Sequence, residues 1–159
     1  MERILGVDPG ISITGFCILD TNYRQTKLHA YGTIRPKKTD STPKRLLYLF
    51  DEMNTILKKF SPNVLAIEDI FYSKNIKSAM TLGHARGALI LSAAKSGLKI
   101  HEFAPRKVKM SVTGNGAASK EQISYMVSKI LNLDEILKPM DISDAIAVGL
   151  CLINQNKYL

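Results

Sequence analysis

Cysteine and histidine are scarce in this chain, at two and three of 159 residues. Cys17 and Cys151 stand far apart without metal-ligand spacing, and read as buried thiols of a reducing compartment rather than as a disulfide or redox pair. Three scattered histidines argue against a zinc site. No apolar run is long enough to span a bilayer. Met1-Glu2-Arg3, followed by a short apolar run broken at Asp8-Pro9-Gly10, is not a signal peptide. A cytoplasmic protein with no membrane partner is therefore expected. Repeats, low-complexity tracts and linker composition are also missing, so residues 1–159 are expected to form one domain, with 45% hydrophobic residues to build its core. Acid is in the minority: 14 Asp+Glu stand against 22 Lys+Arg, a net charge of +8. That excess favours a polyanionic partner, nucleic acid or an anionic membrane surface.

The few acids are placed unusually. The run Arg3-Ile4-Leu5-Gly6-Val7 ends on Asp8, and Val64-Leu65-Ala66-Ile67 ends on Glu68. Asp141-Ile142-Ser143-Asp144 opens the last helical segment. If the sheet sets the two strand ends side by side and that helix crosses them, four carboxylates converge. Like charges so close raise one another's pKa. Divalent cations relieve the repulsion, and carboxylate oxygens suit hard ions such as Mg²⁺ or Mn²⁺, which act on phosphate.

Residue patterns predict the elements around these acids. Residues 4–7 read as a central strand. Residues 14–19 and 28–34 read as β-rich runs joined by a turn at Asp20-Thr21-Asn22. Thr42 as N-cap with Pro43 after it opens a helix that Ser61-Pro62 stops. Residues 64–67 form a short buried strand, 75–96 a long helix rich in small residues, and 98–103 a last strand. Ser119 with Gln122 fits a capping box, and a final helix covers about 142–153. The order βββ-α-β-α-β-α-α implies an α/β fold: a mixed five-stranded sheet, three strands antiparallel and two parallel, with helices on both faces.

Each motif also has a plain structural explanation. Asp-Pro-Gly is an ordinary turn, though ligand sites gather beyond strand ends in open α/β sheets. Glu68 could simply mark where a buried strand meets water. Asp141 and Asp144, three apart, fit a helix N-cap with an acid in the first turn, and the same spacing puts both on one helix face. Lys107, Lys109 and Lys120 could be a solvated surface. Lys120, however, sits in a first helical turn, where the dipole disfavours a cation unless a phosphate docks there too. Phe71 and Tyr72, with Lys74 after them, are either core or loop aromatics able to stack on bases. Gly83 and Gly87 allow close packing on the sheet or a dimer seam.

Taken together, Ile4-Leu5-Gly6-Val7-Asp8-Pro9-Gly10 with Thr14-Gly15, Ala66-Ile67-Glu68 with Phe71 and Lys74-Asn75, Gly83-His84-Ala85-Arg86-Gly87, and Asp141-Ile142-Ser143-Asp144-Ala145-Ile146-Ala147 resemble the RuvC Holliday-junction resolvases. The likeness runs in order from the first strand to the last helix. It implies a ribonuclease H-like fold, a homodimer, and paired metal-dependent nicking of four-way DNA junctions in recombination and repair, leaving 5′-phosphate and 3′-hydroxyl ends. By position it implies Asp8, Glu68, Asp141 and Asp144 as catalytic metal ligands for two Mg²⁺ ions, with Mn²⁺ as a substitute. Some relatives carry His where this chain has Asp141. The resemblance also implies Lys109 and Lys120 as DNA contacts, Phe71 as the aromatic near the junction bases, and a branch-migration motor of RuvA and RuvB as partner. Lys74 and Lys107 complete the candidate DNA-binding set.

Other classes share parts of this pattern. A ribonuclease H acting on RNA–DNA hybrids would use the same acids. An actin-like ATPase also starts with a strand-Asp-x-Gly element, but needs a second phosphate-binding hairpin and a longer chain. A non-catalytic DNA-binding module has no need of four convergent acids.

Overall fold

A computed structural model describes residues 1–70 and 74–156. Three strands come first: β1 (Glu2–Asp8), β2 (Thr14–Thr21) and β3 (Thr26–Ile34). Then follow α1 (Thr42–Phe60), β4 (Val64–Glu68), α2 (Ile76–Lys95), β5 (Lys99–Phe103), α3 (Pro105–Thr113), α4 (Lys120–Ile130) and α5 (Met140–Asn156). The sheet order is β3-β2-β1-β4-β5. β1 pairs antiparallel with β2 and parallel with β4, and β5 is parallel to β4. This is the expected mixed sheet, three strands antiparallel and two parallel, in a ribonuclease H-like arrangement.

Side chains alternate between the two faces of each strand. Leu5, Val7, Ile18, Leu65 and Ile67 pack against α1 and α2. Ile4, Cys17, Leu19, Val64 and Ala66 form the other core, with α3, α4 and α5. Within α5, residues 145–153 are buried without a break, so this helix is enclosed on all sides rather than amphipathic.

Several boundaries differ from the sequence expectation. β2 runs on to Thr21, which is buried and pairs with Thr26, so the turn moves to residues 22–25. There the Asn22 side chain accepts the amides of Arg24 and Gln25, at 3.0 and 2.7 Å. Ser41, not Thr42, holds the N-cap position of α1. Asp141 does not cap α5 but lies inside its first turn. Helix α3 was not expected at all. Its nine residues bury only Val108 and Val112, too narrow a stripe to give a clear helical period. Its punctuation was nevertheless present: Pro105 at the start, and Gly114 with φ 74° at the end.

Candidate active site

Strand register and parity bring the first two acids together. Val7 lies opposite Ile67, so Asp8 and Glu68 are neighbours at the carboxyl ends of adjacent parallel strands. Asp8 has the parity of Ile4, and Glu68 that of Val64 and Ala66, all of which face α5. The acids of α5 reach this point because the helix lies almost directly on the sheet. A Cβ at Gly6 would fall 2.4 Å from the carbonyl oxygen of Ala145, and one at Gly15 would fall 2.1 Å from that of Asp141. Only glycine permits such an approach. Asp141 is thereby set against β2, and Asp144 one turn further on.

A second helix closes the site. The capping box predicted for Ser119 and Gln122 is formed, with bonds of 2.8 and 3.1 Å, and it starts α4 at Lys120. The buried hydroxyls of Ser124 and Ser143 lie 3.1 Å apart and join α4 to α5. Lys120 Nζ then stands 3.4 Å from Asp144 Oδ2. This pair gives a lysine in an unfavourable first-turn position a partner that sequence spacing did not reveal. Asp8, Glu68, Asp144, Lys109 and Lys120 line one cavity of about 180 Å³, whose apolar wall includes Val108 of α3 and Ile123 of α4.

Burial and mutual repulsion dominate the electrostatics. Asp8 is held well above the usual carboxylate range, first by burial and then by the charges of Glu68, Asp144 and Asp141, with Lys120 opposing. Glu68 is pushed up to about 7 by burial and by Asp144, against the pull of Lys109 and Lys120. Burial also raises Asp144, partly offset by Lys120. Lys120 in turn is raised, chiefly by Asp144. Among the described residues, no three Asp, Glu, His or Cys side chains are so grouped that they would hold a metal ion as they stand. The donor set nonetheless fits a divalent ion: every candidate ligand is a carboxylate, the acids feel one another's charge, and hard cations take such oxygens.

A family model described as "Crossover junction endodeoxyribonuclease RuvC" matches residues 4–152. This chain belongs to the RuvC family. The RuvC of Caldicellulosiruptor saccharolyticus is 45% identical over 152 residues, covering 95% of this chain and 92% of that protein. The RuvC of Finegoldia magna is 42% identical over 156 residues, covering 98% and 95%. Among solved structures, Thermus thermophilus RuvC in complex with a Holliday junction substrate superposes with a TM-score of 0.91 at 25% identity, covering 99% of this chain and 96% of that one. The yeast mitochondrial Holliday junction resolvase shares the fold, with a TM-score of 0.68 at 14% identity.

The remaining candidate residues of this RuvC chain are more dispersed. Asp141 does not line the cavity, but its charge acts on Asp8 and Asp144. Lys107 turns away from the acids: its Nζ donates to Gln155 Oε1 at 2.9 Å and lies 5.3 Å from the centre of the Phe103 ring. Lys109, two residues on along α3, faces the cavity. Lys74 is exposed just ahead of α2. Phe71 and Tyr72 lie outside the described residues. Gly83 packs against Ile70, whereas Gly87 has nothing within 4 Å of a built Cβ. Sequence reasoning missed the wall supplied by α3, for which the Pro105 and Gly114 punctuation was the available signal.

Proposed function

We propose that this chain is a structure-selective endonuclease that resolves four-way DNA junctions by paired, metal-dependent nicks in strands of like polarity. The carrying observation is the meeting of Asp8, Glu68 and Asp144 with Lys109 and Lys120 in one cavity of a RuvC-family chain whose net charge is +8. Asp8, Glu68, Asp141 and Asp144 are the groups to hold two divalent ions, Mg²⁺ with Mn²⁺ as a substitute. A bound divalent ion supplies an activated water and charge neutralisation at the phosphate. Lys109 and Lys120 face the same cavity and are placed to meet a phosphate of the cut strand. The apolar wall of α3 and α4 limits water on that side, which strengthens these charge interactions. Products with 5′-phosphate and 3′-hydroxyl ends are then ready for ligation. Phe71 and Lys74, between β4 and α2, are the proposed contacts to the junction bases and backbone.

A second copy of the chain is the proposed partner through α2. That helix exposes Ile76, Met80 and Leu91, 59–73% accessible, on the stripe that also carries the open Gly87. Two such copies present two sites to a near two-fold junction. The motor proteins RuvA and RuvB are proposed partners from the family resemblance, and a cytoplasmic location is proposed from Cys17 and Cys151, both buried free thiols. No helix among the described residues is long and apolar enough to cross a membrane.

The test is incubation of the purified protein with a labelled four-way junction, a linear duplex and an RNA–DNA hybrid, with and without Mg²⁺. Paired cutting of the junction alone, only with metal, is expected. Cutting of the hybrid with the junction left intact would replace this reading by a ribonuclease H.

A further inference from the structure

Behind the site, on the opposite face of the sheet, lies a charged group that the chemistry above does not use. Arg86 of α2 is 8% exposed, and among the described residues no other charged side chain is so deeply buried. Its Nε donates to the main-chain carbonyl of Glu68 at 2.9 Å. Its Nη1 lies 3.4 Å from Asp69 Oδ1, and its Nη2 pairs with Glu102 Oε2 on β5. The neighbouring amide of Asp69 donates to the Phe103 carbonyl at 2.8 Å. The peptide between Glu68 and Asp69 is thus gripped on both sides, its N–H by β5 and its C=O by α2.

We infer that Arg86 is a positioning residue for the metal site: by pinning the Glu68 carbonyl it fixes the last peptide plane of β4, and with it the direction in which the Glu68 carboxylate leaves the strand. Strand ends are where backbones open most readily. A ligand tolerates little such motion, since productive geometry is lost within about half an ångström. Arg86 does this without placing its own charge among the ligands, because Asp69 and Glu102 answer that charge on the far face. A purely stabilising role is a weak reason for the group. Burying an arginine is costly, and apolar packing of similar volume often serves stability as well or better. The fork geometry matters instead: two directed N–H bonds, to the Glu68 carbonyl and to Glu102, and an ion pair with Asp69 fasten β4, β5 and the chain after Glu68 to one helix.

This inference rests on Glu68 holding a metal, so its test includes that assumption. Mn²⁺ binding to the full chain without DNA is measured by calorimetry for the wild type, Glu68→Gln, Arg86→Met and Arg86→Lys, together with thermal unfolding in chelator. Arg86→Met is expected to weaken Mn²⁺ binding roughly tenfold to a hundredfold, the range typical for loss of a group that orients a ligand. Arg86→Lys, which keeps the charge but gathers its donors on one nitrogen instead of a planar fork, should fall between Arg86→Met and wild type. The Mn²⁺ concentration needed for half-maximal junction cutting should shift in parallel, while junction binding in chelator stays unchanged. A folded Arg86→Met that binds Mn²⁺ within twofold of wild type overturns the inference, even if its melting temperature drops. If Arg86→Met does not fold, Arg86→Lys decides by the same twofold limit. A wild type that binds no Mn²⁺, or a Glu68→Gln variant that binds it normally, overturns the metal assignment of Glu68 and this inference with it. Loss in Glu68→Gln beside normal binding in Arg86→Met overturns this inference alone.

Discussion

Asp20 and Asp8 sit at opposite ends of the β1–β2 ladder. Arg3 approaches Asp20 in a fork, with Nε to Oδ1 at 2.7 Å and Nη2 to Oδ2 at 2.9 Å, and its Nη1 donates to the Phe60 carbonyl at 2.9 Å. Those bonds hold Asp20 below the usual carboxylate range. Asp8, at the other end, is surrounded by acids and raised well above it. The same protein therefore carries one acid that is fully answered within the fold and a group of acids that Lys109 and Lys120 answer only in part. The first is an architectural joint, tying β1 to β2 and to the end of α1. The second stores repulsion that a cation from outside relieves, the usual signature of a functional rather than a structural cluster.

The difference between the two ends of the ladder is lost most completely when the acids are neutralised. Asp8→Asn, Glu68→Gln or Asp144→Asn should each lower single-turnover junction cutting by about a hundredfold to a thousandfold or more. Junction binding in chelator should be unchanged or tighter, since affinity comes from cations on phosphate. Asp141→Asn, outside the cavity lining, should cost less. Near-normal cutting by Asp8→Asn would remove the distinction between the two ends.

Lys120→Ala comes next. Cutting should fall roughly tenfold to a hundredfold, more than binding does, and the salt dependence of log affinity should become shallower by about one counterion. Because the Lys120–Asp144 pair is largely exposed on the lysine side, the stability of the free protein should stay within about 1 kcal/mol of wild type. Unchanged rate and salt slope would return Lys120 to the solvated surface.

The pH dependence of stability then separates the two ends by sign. Folded Glu68 keeps its proton up to about pH 7, against an ordinary 4.5, so the folded state binds more protons than the unfolded one between these values. Thermal stability in chelator should rise as pH falls from about 7 to 4.5, and Glu68→Gln should flatten that rise. Asp20, lowered from 3.8, works in the opposite direction. Its stabilisation is full above that value and is lost as pH falls through the folded one. A melting temperature that falls steadily from pH 7 to 4.5 would contradict the raised Glu68.

The smallest effect belongs to the joint itself. Asp20→Asn should cost about 1 kcal/mol of stability in denaturant unfolding and leave cutting untouched. A loss of cutting there would mean that the two ends are coupled through β1.

Much of this arrangement is legible in the sequence, because strands announce themselves by continuous apolar runs and an acid ending such a run stands out. Asp8, Glu68 and the Asp141–Asp144 pair could be named in that way. What sequence could not supply was distance. That Lys109 faces the acids while Lys107 faces Gln155 is decided by the rotation of α3, a helix whose two buried valines left no period to read. The pairing of Lys120 with Asp144 depends on the contact between α4 and α5. Arg86 was visible only as one letter of a glycine-rich motif, since nothing in its neighbours says that its guanidinium turns back to the end of β4.

In chain order α5 follows every other described element, yet it covers the core residues of β1, β2 and β4 and delivers the last acids to the site. A growing chain therefore completes its candidate active site late. Until residues 140–156 have emerged, Asp8 and Glu68 lack the helix that completes their site, and the sheet face meant for α5 stays open to chaperones and proteases. A chain cut short before α5 would lack two of the four candidate acids and leave one whole core face of the sheet uncovered.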